Sequence, residues 1–326
     1  MEFETKPLGS SGISVTRIGL GLWSAGGDSW GKTEDQHTLD LIDFALDAGV
    51  TFYDTADVYN NGRSEELLGQ AMKGRRDKFV VATKIGWLNY DGEAGRAYYD
   101  TPEKIGEGVE TNLKRLNTDY VDVIQSHIDY RDVTMEAFID GFQKLRKDGK
   151  ARAFGLSTSN FEYIKAFNEY SGGACATLQI DYSILNRTPE AEIFPYCLEN
   201  DIGVIIRGPL AMGILTGKFS PETKFEASDW RNRWFDNPDE HKVFLEDLSK
   251  VEQLKLLTNE NRSLAQLAIQ FVLQHPAVTT IIPGAKTKKQ FKETAAVGAF
   301  PAFSAEETAA IDAIVPPGGG RKIWPA

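Results

Sequence analysis

Val50-Thr51-Phe52-Tyr53-Asp54-Thr55-Ala56-Asp57-Val58-Tyr59 starts as a short apolar strand and then turns abruptly polar. Asp54 stands where the strand should end, and Tyr59 lies five residues on, in the loop that follows. Gly62 and a helix start at Ser64-Glu65-Glu66 come next. A carboxylate and a phenol leaving the same strand end point to proton handling. What the rest of the chain brings to that end decides the matter.

Outward from this stretch, apolar runs of strand length alternate with helix-period segments. The expected strands are Thr16–Gly21, Val50–Asp54, Phe79–Lys84, Val121–His127, Arg152–Ser157, Thr177–Asp181, Gly203–Arg207 and Thr279–Pro283. Helices fit between them at Glu34–Ala48, Ser64–Lys73, Pro102–Leu116, Met135–Lys147, Phe161–Tyr170, Glu190–Glu199, Leu264–Gln274 and Lys288–Val297. The strands are apolar on both faces, as parallel strands covered by helices must be. This repeat predicts an α/β fold, a closed (β/α)8 TIM barrel, as one domain over residues 1–326. Phe3–Val15, with turn residues Gly9 and Gly12, predicts an N-terminal β-hairpin that plugs the barrel bottom. Gly208–Asp239 is a long loop after strand seven, a length that usually carries function. Glu240–Leu257 and Ala305–Ile314 read as extra helices.

The composition narrows the function. A net charge of −11 argues against nucleic-acid or membrane-surface partners. No basic leader or long apolar run occurs, so a cytoplasmic protein is expected. Cys175 and Cys197 lie in apolar surroundings and read as core residues. The histidines and cysteines lack metal-ligand spacing, so no metal is expected.

Chemistry in such barrels sits on the loops after the strands. Strand one ends at Gly21-Leu22-Trp23, strand two at Asp54, strand three at Lys84 and strand four at His127. Singly, each has a structural reading: turn former, packing ring, snorkelling lysine or core histidine. Adjacent strands, however, place their ends within about 5 Å of one another, so Asp54, Tyr59, Lys84 and His127 should converge. A nearby ammonium lowers a phenol's pKa, a buried ammonium needs a counter-charge such as Asp54, and His127 can donate to a carbonyl oxygen. The set makes a general acid aimed at a carbonyl.

The chain resembles the aldo-keto reductase family. The matching motifs are Gly19-Leu20-Gly21-Leu22-Trp23, Asp54-Thr55-Ala56-Asp57-Val58-Tyr59 with Glu65-Glu66-Leu67-Leu68-Gly69, Lys84, and Asp122-Val123-Ile124-Gln125-Ser126-His127. They continue with Arg152-Ala153-Phe154-Gly155-Leu156-Ser157, Gln179, the run from Pro209 to Lys218, and Ile282-Pro283-Gly284-Ala285-Lys286. The resemblance implies a barrel that binds NADP(H), with Asp54, Tyr59, Lys84 and His127 as catalytic tetrad and Tyr59 as general acid.

Phosphates in these barrels bind after strands seven and eight. Lys286, Lys288, Lys289 and Lys292 fall there, four lysines within seven residues. Lys286, just after Gly284 and near a helix N-terminus, suits an anion and matches the family's 2′-phosphate contact. By the same resemblance Gln290, Glu293 and Thr294 surround the adenosine, although Thr294 stands where Asn is common and Gln290 where some members have Arg. The loop carrying Gly208, Pro209, Leu210, Gly213, Leu215, Gly217 and Lys218 crosses the cofactor. Ser157 and Gln179 hold the carboxamide, with Ser159-Asn160 an alternative to Ser157-Thr158. Arg207 stands where many relatives have a ring-stacking aromatic and is expected to stack there through its planar guanidinium, and Trp23 is expected to complete the cofactor set.

Trp23, Trp87, Tyr90, Tyr130, Trp230, Trp234 and Phe235 lie in loops on the same face. Of these, Trp23, Trp87 and Tyr130 are expected to meet a carbonyl or sugar substrate. The expected reaction is NADPH-dependent reduction of an aldehyde, ketone or sugar. The alternatives are an NADP-binding regulatory subunit resembling potassium-channel β subunits, and a Schiff-base aldolase using Lys84.

Overall fold

The computed structural model describes residues 3–27, 30, 33–86, 99–127 and 135–323. Two short strands, β1 (Thr5–Pro7) and β2 (Ser14–Thr16), form an antiparallel hairpin. The barrel strands follow as β3 (Leu20–Gly21), β4 (Phe52–Asp54), β5 (Val80–Ile85), β6 (Val121–His127), β7 (Ala151–Ser157), β8 (Thr177–Asp181), β9 (Gly203–Arg207) and β10 (Val278–Ile281). They form one parallel sheet in chain order. Parallel bridges from Ile18 to Ile281 and from Gly21 to Gly284 bring its two edges together, which removes the exposed edge.

Helices α1 (Asp35–Asp47), α2 (Arg63–Met72), α3 (Pro102–Leu116), α4 (Met135–Lys147), α5 (Phe161–Tyr170) and α6 (Ile193–Glu199) each follow a barrel strand. The connection after β9 adds the short α7 (Arg233–Asp236) and the long α8 (Pro238–Lys255) before α9 (Leu264–Gln274). α10 (Lys288–Ala295) and α11 (Ala305–Ile314) end the chain's helices. Among the described residues, no helix is long and apolar enough to cross a membrane.

The expected first strand, Thr16–Gly21, is divided between two sheets. Thr16 pairs with Thr5 in the hairpin, whereas Leu20 and Gly21 pair with Tyr53 and Asp54 in the barrel. The Thr16 hydroxyl donates to Ile18 O at 2.9 Å, and Thr51 N donates back to that hydroxyl at 3.2 Å. A side chain thus takes over main-chain pairing where the strand changes sheets. The expected Glu190–Glu199 helix is likewise shorter, because a 3₁₀ turn at Thr188–Glu190 precedes α6.

The barrel interior has two layers. Ala82, Val123, Ala153, Ala176, Ile205 and Phe52 form an apolar floor with Leu8, Ile13 and Val15 of the hairpin. Side chains on a strand alternate faces, so residues two positions on point inward as well, one layer higher. That step leads from Phe52 to Asp54, from Ala82 to Lys84, from Val123 to Gln125 and His127, and from Ile205 to Arg207. The intervening Tyr53, Ile124 and Ile206, and Val81 just before Ala82, pack outward in the core under the helices. Cys175 and Cys197 are buried and unpaired in that outer core.

The hairpin seals the floor by close backbone approach. Gly9 has a φ of +53°, and a Cβ there would lie 2.5 Å from Asp201 O and 2.6 Å from Ala176 O. Replacing it should both strain the turn and lift the plug. Gly9→Val is expected to lower the unfolding free energy by about 2 kcal/mol or more, read from urea denaturation. Wild-type stability in that variant would mean that the plug does not bear on the barrel.

Candidate active site

Lys84 is fully buried at the top of β5. Its ammonium donates to Asp54 Oδ1 at 2.7 Å, to Thr55 O at 2.8 Å and to the Tyr59 hydroxyl at 3.2 Å. It also lies 4.7 Å from the Tyr59 ring centre. The His127 ring meets Tyr59 edge-on, with ring centres 5.9 Å apart. The four residues expected to converge do so, and three strands and one loop deliver them.

Gln179 is a further member of the cluster. Its amide donates to Asp54 Oδ2 at 2.7 Å, so each carboxylate oxygen holds one donor. Gln125 is fully buried and pairs in register with Lys84, a site position that the sequence reading does not name. The signal was present, since it stands two residues before His127 on the same strand face.

Burial dominates the electrostatics. It drives the Lys84 pKa down, but Asp54 and Tyr59 more than offset this, and the net shift is upward. Lys84 is therefore an ammonium at neutral pH. Burial raises the Asp54 pKa against the pull of Lys84 and Gln179. Burial also raises the Tyr59 pKa; Lys84 opposes it and Asp54 adds to it. This corrects the expectation that the lysine leaves the phenol more acidic than a free tyrosine. His127 is held well below its ordinary value by burial and by the charges of Lys84 and Arg207, so its imidazole is neutral.

Aromatic rings wall the site. Trp23 stacks on Tyr59 with ring centres 5.9 Å apart, and on Trp230 at 6.2 Å. Trp30, absent from the sequence expectations, meets both Trp23 and Trp230 edge-on. Trp234 and Phe235 instead belong to packing. Trp234 is buried and stacks on Phe244 of α8, and Phe235 also meets Phe244. Trp87, Tyr90 and Tyr130 lie outside the described residues.

The other expected residues occupy the rim after β7 to β10. Ser157 pairs in register with His127 and Gln179 with Ser157, so these side chains adjoin the cluster. Ser159 is buried, while Asn160 caps α5 by accepting from Tyr163 N at 3.2 Å. Arg207 pairs in register with Asp181 at the end of β9. The main chain beyond it is left-handed at Gly208, Ala211, Met212, Gly213 and Gly217. Leu215 is fully buried, with its N–H on Leu210 O, and Pro209 and Leu210 precede that turn. Lys218 and Gly284 are exposed.

Lys286 reaches the Trp30 carbonyl, and its main-chain N–H donates to Gln290 Oε1 at 2.8 Å. Thr287 caps α10 by accepting from Gln290 N. Glu293 accepts from the Ser263 hydroxyl at 2.7 Å, and Thr294 donates to Gln290 O. The first of these two contacts joins α10 to the start of α9, and the second lies within α10.

The comparisons with known proteins agree with this geometry. A family model described as Aldo/keto reductase family matches residues 17–316. The chain is 36% identical over 297 residues to Aldo-keto reductase YhdN of Bacillus subtilis, covering 89% of this chain and 87% of that protein. It is 31% identical to the NADH-specific methylglyoxal reductase of Escherichia coli, covering 89% and 92%. A probable voltage-gated potassium channel subunit beta of Oryza sativa is also 31% identical, covering 95% and 96%. Among solved structures, aldo-keto reductase AKR11C1 from Bacillus halodurans in its holo form has a TM-score of 0.79 at 30% identity, covering 96% of each chain. An aldo-keto reductase from Klebsiella pneumoniae in complex with NADPH has a TM-score of 0.74 at 26% identity, covering 97% and 96%. This chain belongs to the aldo/keto reductase family, a family of oxidoreductases that act on carbonyl groups.

The Asp54–Lys84 pair makes a testable demand on stability. Lys84→Met leaves Asp54 buried without its cation, a loss of about 3–5 kcal/mol near pH 7. Removing the ammonium also raises the Asp54 pKa further, while the unfolded carboxyl stays near about 3.9. The variant's folded form then binds more protons than the folded wild type, so the penalty grows as pH rises above the wild-type Asp54 value. Urea unfolding at about pH 5 and about pH 8 should show the larger deficit at the higher pH. An equal deficit at both would rule out a charged Asp54 as the lysine's partner.

Proposed function

We propose that this chain reduces the carbonyl of a small aldehyde, ketone or sugar to the alcohol, reversibly, with NADP(H) as cofactor. The observation that carries the reading is the buried ammonium of Lys84, hydrogen-bonded to one phenol and one carboxylate. Tyr59 is the proton donor to the carbonyl oxygen. Its raised pKa keeps the phenol protonated at neutral pH, and Lys84 stabilises the phenolate that forms as the proton leaves. Neutral His127 donates to the same oxygen and orients it. Asp54, braced by Gln179, keeps Lys84 charged and in place.

The residues present suit an anionic dinucleotide. Arg207 ends β9, and Lys218 and Lys286 stand beyond the ends of β9 and β10, in a chain of net charge −11. The glycines at 208, 213 and 217 have positive φ and no side chain, which lets a ligand approach this turn closely. In this reading the turn through Gly208, Pro209, Leu210, Gly213, Leu215, Gly217 and Lys218 holds the pyrophosphate side. Lys286 binds the 2′-phosphate beside Gly284, and Gln290, Glu293 and Thr294 lie toward the adenosine. Ser157 and Gln179 hold the carboxamide, with Arg207 and Trp23 against the ring. The nicotinamide, when bound, supplies the hydride. Trp23 and Trp230 form the apolar wall against which a small carbonyl substrate lies.

Two other readings are weaker. Schiff-base chemistry needs a neutral amine, and the net upward shift at Lys84 opposes it. The rice relative's name raises a channel-subunit role, but the complete proton-donor cluster favours turnover. Reduction of a carbonyl panel with NADPH and no partner present would separate these.

Tyr59→Phe is expected to abolish reduction while NADPH binding, followed by fluorescence quenching, stays near wild type. Wild-type hydride transfer in that variant would remove Tyr59 as donor. The cofactor assignment has its own test, because the Escherichia coli relative is named NADH-specific. Lys286→Met should weaken NADPH binding by about tenfold or more while leaving NADH binding unchanged. Equal effects on both cofactors would remove Lys286 from the 2′-phosphate.

A further inference from the structure

Glu65-Glu66-Leu67-Leu68-Gly69 and Asp57 belong to the same stretch as Tyr59, yet the proposed reaction gives them no role. Glu65 is fully buried on α2, behind the barrel wall that carries Lys84. The Thr83 hydroxyl, one residue before Lys84 on β5, donates to Glu65 Oε1 at 2.6 Å. Arg115, at the end of α3, donates one Nη1 to both Glu65 Oε2 and Asp57 O, each at 3.3 Å. Asp57 N in turn donates to Lys84 O at 3.2 Å.

The same guanidinium bears on the turn after Tyr59. Asn60, Asn61 and Gly62 all have positive φ, at 48°, 56° and 83°. Three such residues in a row, two of them with side chains, are strained and persist only when their surroundings hold them. A Cβ on Gly62 would lie 2.5 Å from Arg115 Cζ and Nε, so the turn lies flat against that group. Gly62 N donates to Tyr59 O at 3.1 Å, which passes the turn's position directly to the phenol's own backbone. Gly69 completes the arrangement, since a Cβ there would lie 2.6 Å from Arg115 O. Its absence lets α2 approach the end of α3 closely enough for Glu65 to meet Arg115.

We infer that Arg115, held by Glu65, is the positioning residue that fixes the Tyr59 loop and thereby sets the phenol on the Lys84 ammonium. The inference rests on Tyr59 being the proton donor. A second observation separates this role from plain stabilisation. Burial pushes Glu65 up to about 7, against the pull of Thr83 and Arg115, so the fold keeps a carboxyl here at a cost in stability. An apolar residue would pack between α2 and β5 without that cost, but it would not orient a guanidinium.

The test uses the full chain saturated with NADPH and follows single-turnover hydride transfer. Arg115→Met is expected to slow that step by about tenfold to a hundredfold. Its NADPH dissociation constant should stay within about twofold of wild type, because the cofactor rim is elsewhere. Arg115→Lys or added guanidinium should restore part of the rate. Should Arg115→Met not fold, Gly62→Ala tests the same contact by pushing the turn off Arg115 without removing a charge, and the same slowing is expected. Folded variants that transfer hydride at the wild-type rate would overturn the inference and leave the proposed reaction standing. A wild-type chain that reduces no carbonyl, or that tolerates Tyr59→Phe, would overturn both.

Discussion

The ion pair of Lys84 with Asp54 is the constraint around which the upper half of the barrel is arranged. Both groups are buried, at 0% and 2% side-chain exposure. Two such charges recover their lost hydration only if their remaining bonding positions are filled. Here they are. Lys84 has three acceptors, namely Asp54, Thr55 O and Tyr59, and the second oxygen of Asp54 is taken by Gln179. Those partners come from β4, from the loop after it and from β8, across the barrel. One interaction therefore ties the position of Tyr59 to the closure of the whole sheet.

A closed barrel also explains why such a pair can exist above an apolar floor. Strand side chains alternate, so each inward position at the floor repeats two residues higher. The floor residues are small or aliphatic apart from Phe52, and the hairpin residues Leu8, Ile13 and Val15 fill what they leave. Water is thereby kept from the underside of the Asp54–Lys84 layer, where every charge interaction is stronger than in solution. The long connection after β9 is anchored separately. Leu215, Trp234, Phe244 and Val251 form a second core with α8 and α9, so the loop bearing the left-handed turns has rigid ends.

Much of this was legible in the sequence because strand ends in an eight-fold repeat have fixed neighbours. Asp54, Lys84 and His127 could be placed together from their positions at the ends of consecutive strands, and Tyr59 from its distance to Asp54. Partners set by distant chain segments were not legible. Gln179 reads as a cofactor contact in sequence, and only the closed sheet brings it 2.7 Å from a carboxylate 125 residues away. The division of the first strand depended on one threonine hydroxyl replacing main-chain bonds. The loop aromatics split into a wall, Trp23 and Trp230, and a packing core, Trp234 and Phe235. Composition alone treats all four alike.

The sign of the Tyr59 shift shows why convergence is not enough to predict acidity. A lysine at 3.2 Å favours the phenolate, but that lysine is itself balanced by Asp54, which disfavours it. Desolvation outweighs the pull of Lys84, Asp54 adds to it, and the phenol is a weaker acid than in water. In the proposed reaction the cluster holds its proton until a carbonyl oxygen begins to gain charge beside it. At that moment the ammonium is already in place and needs no reorganisation, which is where preorganised charge lowers a barrier most. His127, kept neutral by the same burial and by the nearby cations, adds a donor without adding a further positive charge that would compete for Asp54.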